Sequence, residues 1–506
     1  TKLNELQSQE TQTTTMAPFS PAQPPTASCR IEPRDVVFRH PYIPNSKSIT
    51  AATVFSPAKL PRISLSSYRL TTPRSLPRAS STNPSSTSCS YDVVIVGAGI
   101  IGLTIARQLL LESDLSVAVV DQAAPCAGAT GAGQGYIWLV HKSTESATWD
   151  LTLRSRRLWE EFAEGVRDQG LDPLLELGWK KTGSLLVGRT AEESEALRTR
   201  VKKLSEAGIS VEFLDSRELR LEEPELGVWE DGGAAFLPDD CQLDAHSTVS
   251  FLLNFNRTFA SKGRYAEFFH EPVTGFVRSG SGGEVEAVRT CKNTFYVKKA
   301  VVVATGCWTG SVMQGLFRDM DVALDVPVKP RKGYLLVLEN FCSLNLKHGL
   351  MEAGYAGHKT AVTNSNDSTL GPVDHEQFLS VSMTATMDTS GNLVLGSSRQ
   401  FAGFCSEIDE SIINHIWNHA KDFFPKLNEH SLKDLSDGRK VRVGLRPYMP
   451  DGKPVIGLVP ALSNAYVAAG HEGEGLCLAL GTAEMMVDMV LGKPGVVDDA
   501  AFAFRG

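Results

Sequence analysis

The feature that most constrains this chain is a glycine-rich turn between an apolar run and a helical pattern. Residues 92–96 (DVVIV) are mostly β-branched and apolar, which is typical of a strand buried on both faces of a parallel sheet. The turn 97–102 (GAGIIG) follows directly, and apolar residues then recur at helical spacing. A second apolar run, 117–120, ends in Asp121. This order predicts a β-α-β unit that carries a dinucleotide-binding fingerprint.

Each part of the fingerprint has a physical role. Gly97 permits the tight turn, Gly99 lets the backbone approach a pyrophosphate, and Gly102 lets the helix pack closely on the strand. Unpaired N–H groups at the helix start are expected to face the anion, and Asp121 is placed to accept a hydrogen bond from a ribose hydroxyl. The predicted contacts of this unit are Gly97, Gly99, Ile100, Gly102, Asp121 and Gln122. The fingerprint alone leaves NAD and FAD open.

A second glycine-rich loop, residues 128–135 (GATGAGQG), follows a few residues after the acid. In this register the chain resembles the FAD-dependent oxidoreductases of the D-amino-acid oxidase class, whose loop runs approximately G-A-S-G-x-N-x-G along the flavin. The resemblance implies that Thr130 and Gly131 contact FAD. Ala132 and Gly133 depart from the Arg and Asn often found there, so the subfamily stays open.

Four later segments are similar to the same family in the same order along the chain. They are 181–187 (KTGSLLV), 221–226 (LEEPEL), 301–308 (VVVATGCW) and 391–396 (GNLVLG). The third resembles a strand that approaches the cofactor from its other side. The resemblance implies cofactor contacts at Val273, Thr305, Gly306 and Trp308.

The segment 444–457 (GLRPYMPDGKPVIG) resembles a motif of glycine oxidases and D-amino-acid dehydrogenases. In that family the arginine binds the substrate carboxylate, which implies this role for Arg446. A planar guanidinium holds a carboxylate bidentately and thereby orients the neighbouring carbon. A structural arginine paired with an acid between domains is the alternative.

The segment 468–476 (AAGHEGEGL) matches the family's G-H-x-x-x-G pattern. Backbone N–H groups at a helix start there face the flavin and stabilise negative charge on it. The resemblance implies cofactor contacts at His471, Gly473, Gly475 and Leu476. A histidine that only packs or bonds locally is an equally good interpretation of His471.

The resemblance implies non-covalently bound FAD and oxidation of a C–N bond in an amino acid or secondary amine, such as glycine, sarcosine or a D-amino acid. A hydride would pass from the carbon next to nitrogen to flavin N5, and the imine would hydrolyse. Oxygen, a quinone or a carrier protein are the open electron acceptors, and Tyr334, Tyr355 and Tyr448 are open as hydroxyl donors. An NAD(P)-linked dehydrogenase and a flavin-binding protein without turnover are the alternatives.

The expected architecture is α/β, with a Rossmann-like FAD-binding domain built on a doubly wound parallel sheet. A second, mostly antiparallel α+β domain is expected to cover the flavin and hold substrate. The first domain is expected to comprise residues 91–145, 235–320 and 440–506, and the second residues 146–234 and 321–439.

Residues 1–90 have a different composition from the rest of the chain. From residue 16 to residue 91 they are rich in Ser, Thr, Pro and Arg, and Glu32 and Asp35 are the only acids. This composition is typical of a disordered organelle transit peptide and favours a plastid of a plant-type cell, with a mitochondrion as the alternative. A plain disordered tail also fits.

Several classes of function are disfavoured by composition. The net charge of −8 and the pI near 5.8 argue against nucleic-acid binding. The cysteines are scattered and His415 and His419 lack the glutamate of H-E-x-x-H, so no metal site is predicted. Residues 475–491 contain Glu484 and Asp488, which predicts an amphipathic helix rather than a membrane span.

Overall fold

The computed structural model describes residues 87–504, except 228, 280–282, 318–325 and 355–378. The described residues form one compact unit. Residues 1–86 of the predicted leader lie outside the described residues, so transit-peptide function remains a prediction. Tyr355 also lies outside them.

The secondary structure alternates between strands and helices along the chain. The strands are β1 (Thr87–Val96), β2 (Val117–Val120), β3 (Tyr136–Ile137), β4 (Lys180–Lys181), β5 (Ser184–Gly188), β6 (Glu212–Asp215), β7 (Gly233–Leu237), β8 (Cys241–Gln242), β9 (Tyr265–Phe268), β10 (Val273–Arg278), β11 (Val285–Thr290), β12 (Asn293–Val303), β13 (Lys329–Leu338), β14 (Gly349–Glu352), β15 (Ser380–Met387), β16 (Leu393–Arg399), β17 (Arg439–Tyr448), β18 (Val455–Leu458) and β19 (Ala465–Ala469). The α-helices are α1 (Ile100–Glu112), α2 (Ala129–Ala132), α3 (Trp149–Asp168), α4 (Pro173–Leu177), α5 (Ala191–Glu206), α6 (Ser216–Glu222), α7 (Ala245–Arg257), α8 (Thr309–Phe317), α9 (Glu410–Phe423) and α10 (Gly475–Leu491).

The first sheet has the order β10-β11-β12-β1-β2-β9, with β19 beside β12 and β18 beside β19. The strands β9, β2, β1, β12 and β19 run parallel, whereas β10, β11 and β18 add antiparallel pairs at the margins. The sheet therefore confirms the predicted Rossmann-like, largely parallel architecture.

Strand β1 is buried on both faces, as its apolar run predicts. Val93 and Ile95 pack in a core with helices α1, α3, α7 and α10. Val94 and Val96 pack on the opposite face with residues of α8 and β11. All four side chains are at most 4% exposed, because a central parallel strand has helices or strands above and below it.

The second sheet has the order β17-β13-β16-β15-β14-β5-β7-β6. Its pairs are antiparallel except for β14 beside β5, so the prediction of a mostly antiparallel second sheet is confirmed. One face packs on the apolar side of α9 through Ile412, Ile416 and Trp417. Toward the β5 and β7 side of the sheet, the other face packs on α5. A small third sheet, β3-β8-β4, lies apart from these two.

Two elements lie on the other side of the predicted domain boundaries. Strand β17, assigned from sequence to the first domain, pairs along its whole length with β13 of the second sheet. Helix α3, assigned to the second domain, packs with α1 and α10 through Leu151, Trp159 and Val166. The boundaries themselves remain a prediction.

Helix α10 differs from the amphipathic helix expected from its sequence. It is buried nearly all round against α1 and α3, and Glu484 forms a bidentate pair with Arg154 of α3, with N···O distances of 2.6 and 2.7 Å. Glu484 and Asp488, in the second half of the helix, therefore occur in a helix that is packed in the core. Within the described ranges, no helix has the length and apolarity needed to cross a membrane.

Candidate active site

The glycines of the first turn allow three backbone segments to meet. Gly97 has φ +118°, a conformation that L side chains rarely adopt, and its Cβ would overlap the carbonyl oxygen of Ala304 at the end of β12. A Cβ on Gly102 would overlap the Gly97 carbonyl oxygen. The fingerprint glycines therefore close β1, α1 and β12 around one point.

Two polar side chains bind the N–H groups of this turn. Asp121 accepts hydrogen bonds from the N–H of Ala98 at 2.6 Å and of Ala123 at 2.7 Å. Burial raises the pKa of Asp121, although these backbone bonds act in the opposite direction. The N–H of Ile100 donates to the hydroxyl of Thr130 at 3.2 Å. The expectation of unpaired N–H groups at the helix start is therefore wrong at Ile100.

The second glycine-rich loop forms the short helix α2 against this turn. Thr130 lines the main cavity and joins the two loops through its bond to Ile100. Gly131 is not among the cavity-lining residues; its Cβ would overlap the carbonyl oxygen of Cys126, so it serves the packing of the loop. Gln134 donates to the Val394 carbonyl oxygen at 3.2 Å and thereby connects the loop to the second sheet.

The residues that follow β12 form another wall of the cavity and include the predicted cofactor contacts of segment 301–308. Thr305, Gly306 and Trp308 line the cavity, as does Val273 at the start of β10. The indole of Trp308 stacks on Phe404, with ring centroids 5.9 Å apart. Phe404 follows β16 of the second sheet along the chain, so this aromatic pair joins cavity-lining segments that follow different sheets.

The C-terminal segment begins with a sharp turn after β19. Gly470 has φ +78°, and His471, Gly473, Gly475 and Leu476 line the cavity. His471 is 4% exposed and its Nε2 lies 3.0 Å from the hydroxyl of Thr482 in α10. Burial lowers the pKa of His471 to about 3. The ring is neutral at physiological pH and acts as a packing and bonding group, one of the two interpretations open from sequence.

Arg446 on β17 lies directly opposite Arg331 on β13. Its Nη1 donates to the carbonyl oxygen of Ser398 on β16 at 3.0 Å, so the side chain crosses β13. Gly333 makes this path available, because a Cβ there would overlap the guanidinium. Arg331 in turn pairs with Glu472 at 2.9 Å. A guanidinium held in this way presents planar donors to a carboxylate.

One cavity of about 840 Å³ brings most of the predicted residues together. Its volume lies within the range of roughly 300–1,000 Å³ of small-molecule and cofactor sites. The predicted residues that line it are Gly97, Gly99, Ile100, Asp121, Gln122, Thr130, Val273, Thr305, Gly306, Trp308, Arg446, His471, Gly473, Gly475 and Leu476. Gly102 and Gly131 lie behind its wall. The close backbone approaches and the acid at the end of β2 fit a bound dinucleotide such as FAD.

Several lining residues carry no sequence signal of their own. Ser397, Phe404 and Ser406 come from β16 and the loop after it, outside any motif. Glu472 lies inside the G-H-x-x-x-G segment and only its place beside Arg331 draws attention to it. A directly opposed arginine pair across β13 and β17 is visible only once the strand register is known.

The two described candidate tyrosines have partners in the protein. Tyr334 is fully buried and its hydroxyl donates to the Glu407 carbonyl oxygen at 2.7 Å, so it belongs to the core of the second sheet. The ring of Tyr448 packs edge-on against Phe401. Neither observation makes these residues substrate contacts.

The candidate metal-binding and thiol side chains can be examined in the part of the chain that the structure describes. No group of three or more metal-binding side chains occurs there. His419 lies 2.7 Å from Glu352, a hydrogen bond that raises its pKa. Burial raises the pKa values of Cys126 and Cys307 near the cavity to about 12, so both are thiols at neutral pH.

Known proteins resemble this chain in sequence and in fold. The family model described as FAD dependent oxidoreductase matches residues 92–489. Glycine oxidase of Geobacillus kaustophilus is 26% identical over 418 residues, which cover 82% of this chain and 96% of that protein. D-amino acid dehydrogenase of Methylobacterium nodulans is 25% identical over 365 residues, 71% of this chain and 76% of that protein. The crystal structure of glycine oxidase from Geobacillus kaustophilus has the same fold, with a TM-score of 0.66 at 24% identity, covering 82% of this chain and 99% of that one.

Proposed function

The chain belongs to the family of FAD-dependent oxidoreductases, and within that family we propose that it oxidises the C–N bond of an amino acid or related secondary amine. The observation that carries the proposal is that Arg446 lines the same cavity as the cofactor segments. Relatives named for glycine and D-amino acids support it. The family's cofactor argues against the NAD(P)-linked alternative.

The residues proposed to hold FAD are those of the glycine turn, the Asp121 region, Thr130, the 305–308 wall and the 471–476 segment. FAD supplies the two-electron oxidation when bound. The start of α10 presents its positive end to the cavity through Gly473 and Gly475, which line it. His471 carries no positive charge at neutral pH and positions this segment through Thr482.

Arg446 is the proposed anchor of the substrate carboxylate. Its bond to the Ser398 carbonyl oxygen and its path across Gly333 fix the guanidinium before substrate arrives. Holding both oxygens of the substrate carboxylate aligns the C–H bond next to nitrogen. Such positioning contributes most of the acceleration in a reaction of this kind. Residues from both sheets line this cavity.

The test compares Arg446→Ala with Arg439→Ala. Both residues lie on β17, but Arg439 pairs with Glu410 at 2.9 Å away from the cavity. We expect kcat/KM for the best substrate among glycine, sarcosine, D-amino acids and proline to fall roughly a hundredfold in the first variant, since charge-assisted bonds contribute about 1.5–3 kcal/mol each. The second variant should match the wild type. Equal effects in the two variants would remove Arg446 as the anchor.

We also propose that the Ser-, Pro- and Arg-rich leader directs the chain to a plastid, on the strength of its composition alone. A fusion of residues 1–90 to a fluorescent protein should label plastids, and labelling of mitochondria would establish the alternative. Release of hydrogen peroxide during turnover would identify oxygen as the electron acceptor, whereas turnover only with a quinone or carrier protein would identify a dehydrogenase.

A further inference from the structure

Glu472 places a carboxylate on the wall of the cavity. The residue lines the cavity, and its side chain is 17% exposed. Among the described residues that line this cavity, the charged side chains are Asp121, Arg446 and Glu472. Asp121 accepts bonds from backbone N–H groups that follow β1 and β2. Glu472 is therefore the acid of the cavity that does not belong to the dinucleotide fingerprint.

The backbone of Glu472 has an unusual conformation for a residue with a long side chain. Its φ is +46°, in the left-handed region that few residues other than glycine adopt. Such a conformation costs free energy and persists where the surrounding structure imposes it, which is most common at functional sites. The strain at a position that lines the cavity makes Glu472 a candidate for ligand binding.

Glu472 lies close to the proposed substrate anchor. Its Oε1 is 2.9 Å from Nη1 of Arg331, and Arg331 on β13 is directly opposite Arg446 on β17. Residues directly opposite each other in an antiparallel pair have Cα atoms about 5 Å apart. The turn 472–474 also lies against β17. The cavity wall therefore carries a guanidinium and a carboxylate as near neighbours.

We infer that Glu472 binds the amine of the substrate, with its carboxylate accepting a hydrogen bond from the substrate N–H while Arg446 holds the substrate carboxylate. The inference rests on the proposed function and narrows its substrate class to α-amino acids whose nitrogen carries at least one hydrogen. An amine and a carboxylate on the same carbon need binding groups that are near neighbours. A carboxylate offers about four acceptor positions, so pairing with Arg331 and binding an N–H are compatible.

Removal of this acid should affect ligands with and without an amine differently. Glycine and acetate differ by the amine alone, as do alanine and propionate. A carboxylate on the wall attracts an ammonium group and repels another carboxylate. We therefore expect Glu472→Gln to raise the apparent Kd of the amino acid about tenfold, and to leave the Kd of the acid without an amine unchanged or lower.

The experiment titrates the FAD-loaded proteins without oxygen. Saturation of the flavin bleaching rate gives the apparent Kd of the amino acid, and the shift of the visible flavin spectrum gives the Kd of acetate or propionate. Arg331→Gln breaks the same ion pair but keeps the carboxylate, so it should retain most of the preference for the amino acid over the matching acid. Glu484→Gln removes an acid that pairs with Arg154, is 14% exposed and does not line the cavity, and it should match the wild type.

Three results would overturn the inference. Equal weakening of the amino acid and of the matching acid in Glu472→Gln would mean that the carboxylate affects the site as a whole and not the amine. An equal loss of preference in Arg331→Gln would assign the effect to the ion pair. Release of FAD from Glu472→Gln would assign the residue to cofactor binding alone.

The proposed function fails in a different way. A wild-type holoenzyme that no amino acid reduces would refute amino-acid oxidation, whatever Glu472 does. A wild type that is reduced, together with a Glu472→Gln variant of unchanged amino-acid affinity, would refute the Glu472 assignment alone.

Discussion

Gly102→Ala should damage both stability and cofactor retention. The added Cβ would lie 2.0 Å from the Gly97 carbonyl oxygen and 3.3 Å from Cγ2 of Ile95. The first overlap is with backbone, so side-chain rotation cannot relieve it, and α1 has to move away from the β1–α1 turn by about 1 Å or more to reach ordinary contact distance. Overpacking of a core costs about 1–3 kcal/mol, and alanine recovers about 1 kcal/mol of helix propensity. Because the overlap is with backbone, the cost is taken at the upper end, about 3 kcal/mol, and about 3 minus about 1 leaves an expected net loss of about 2 kcal/mol.

Gly165→Ala is the matched control for this variant. Gly165 lies within α3, where a Cβ would meet no atom within 4 Å. Alanine there should stabilise the protein by about 0.5–1 kcal/mol through helix propensity alone. The assay combines thermal unfolding with FAD affinity measured by flavin fluorescence. Gly102→Ala should lower Tm and weaken FAD binding. Equal Tm and equal FAD affinity in the two variants would contradict a steric role for Gly102.

Two further predictions concern pH. Burial raises the pKa of Asp240 to about 6 from an ordinary 3.8. The contribution of Asp240 to stability is thus present below pH 3.8 and lost as pH rises through about 6. The unfolding free energy of the wild type minus that of Asp240→Asn should therefore decrease as pH rises from 3.8 to about 6. A difference that urea unfolding shows to be independent of pH would contradict this. Burial lowers the pKa of His471 to about 3 from 6.5, so its contribution is present above 6.5 and lost as pH falls toward 3. His471→Gln should therefore lose less Tm on acidification than the wild type, and an identical loss would count against a buried neutral ring.

The cofactor-binding half of the site could be predicted because close backbone contacts there require glycine at particular positions. Where β1, α1 and β12 meet, only glycine fits at residues 97 and 102, and that requirement is visible within six residues of the sequence. The buried run 92–96 and the acid after β2 carry the same kind of local signal. Fold class and cofactor followed from such segments.

The substrate half was less predictable because strand register is not a local property. Arg446 was found through its motif, yet its path across Gly333 depends on the pairing of β17 with β13. Ser397 and Phe404 reach the cavity only through the order of strands in the second sheet. The bond of Ile100 to Thr130, 30 residues later, likewise needed the packing of two loops.

The most direct test of amino-acid oxidation is an anaerobic spectrum of the chain from about residue 87 onward. Glycine, sarcosine, D-amino acids and proline are added in turn to the purified protein. We expect a yellow protein whose visible flavin band is bleached by one of these carboxylate-bearing amines, and bleached far more slowly in Arg446→Ala. A yellow protein that none of them reduces would contradict the proposed substrate class, and a colourless protein that cannot be reconstituted with FAD would contradict the cofactor site itself.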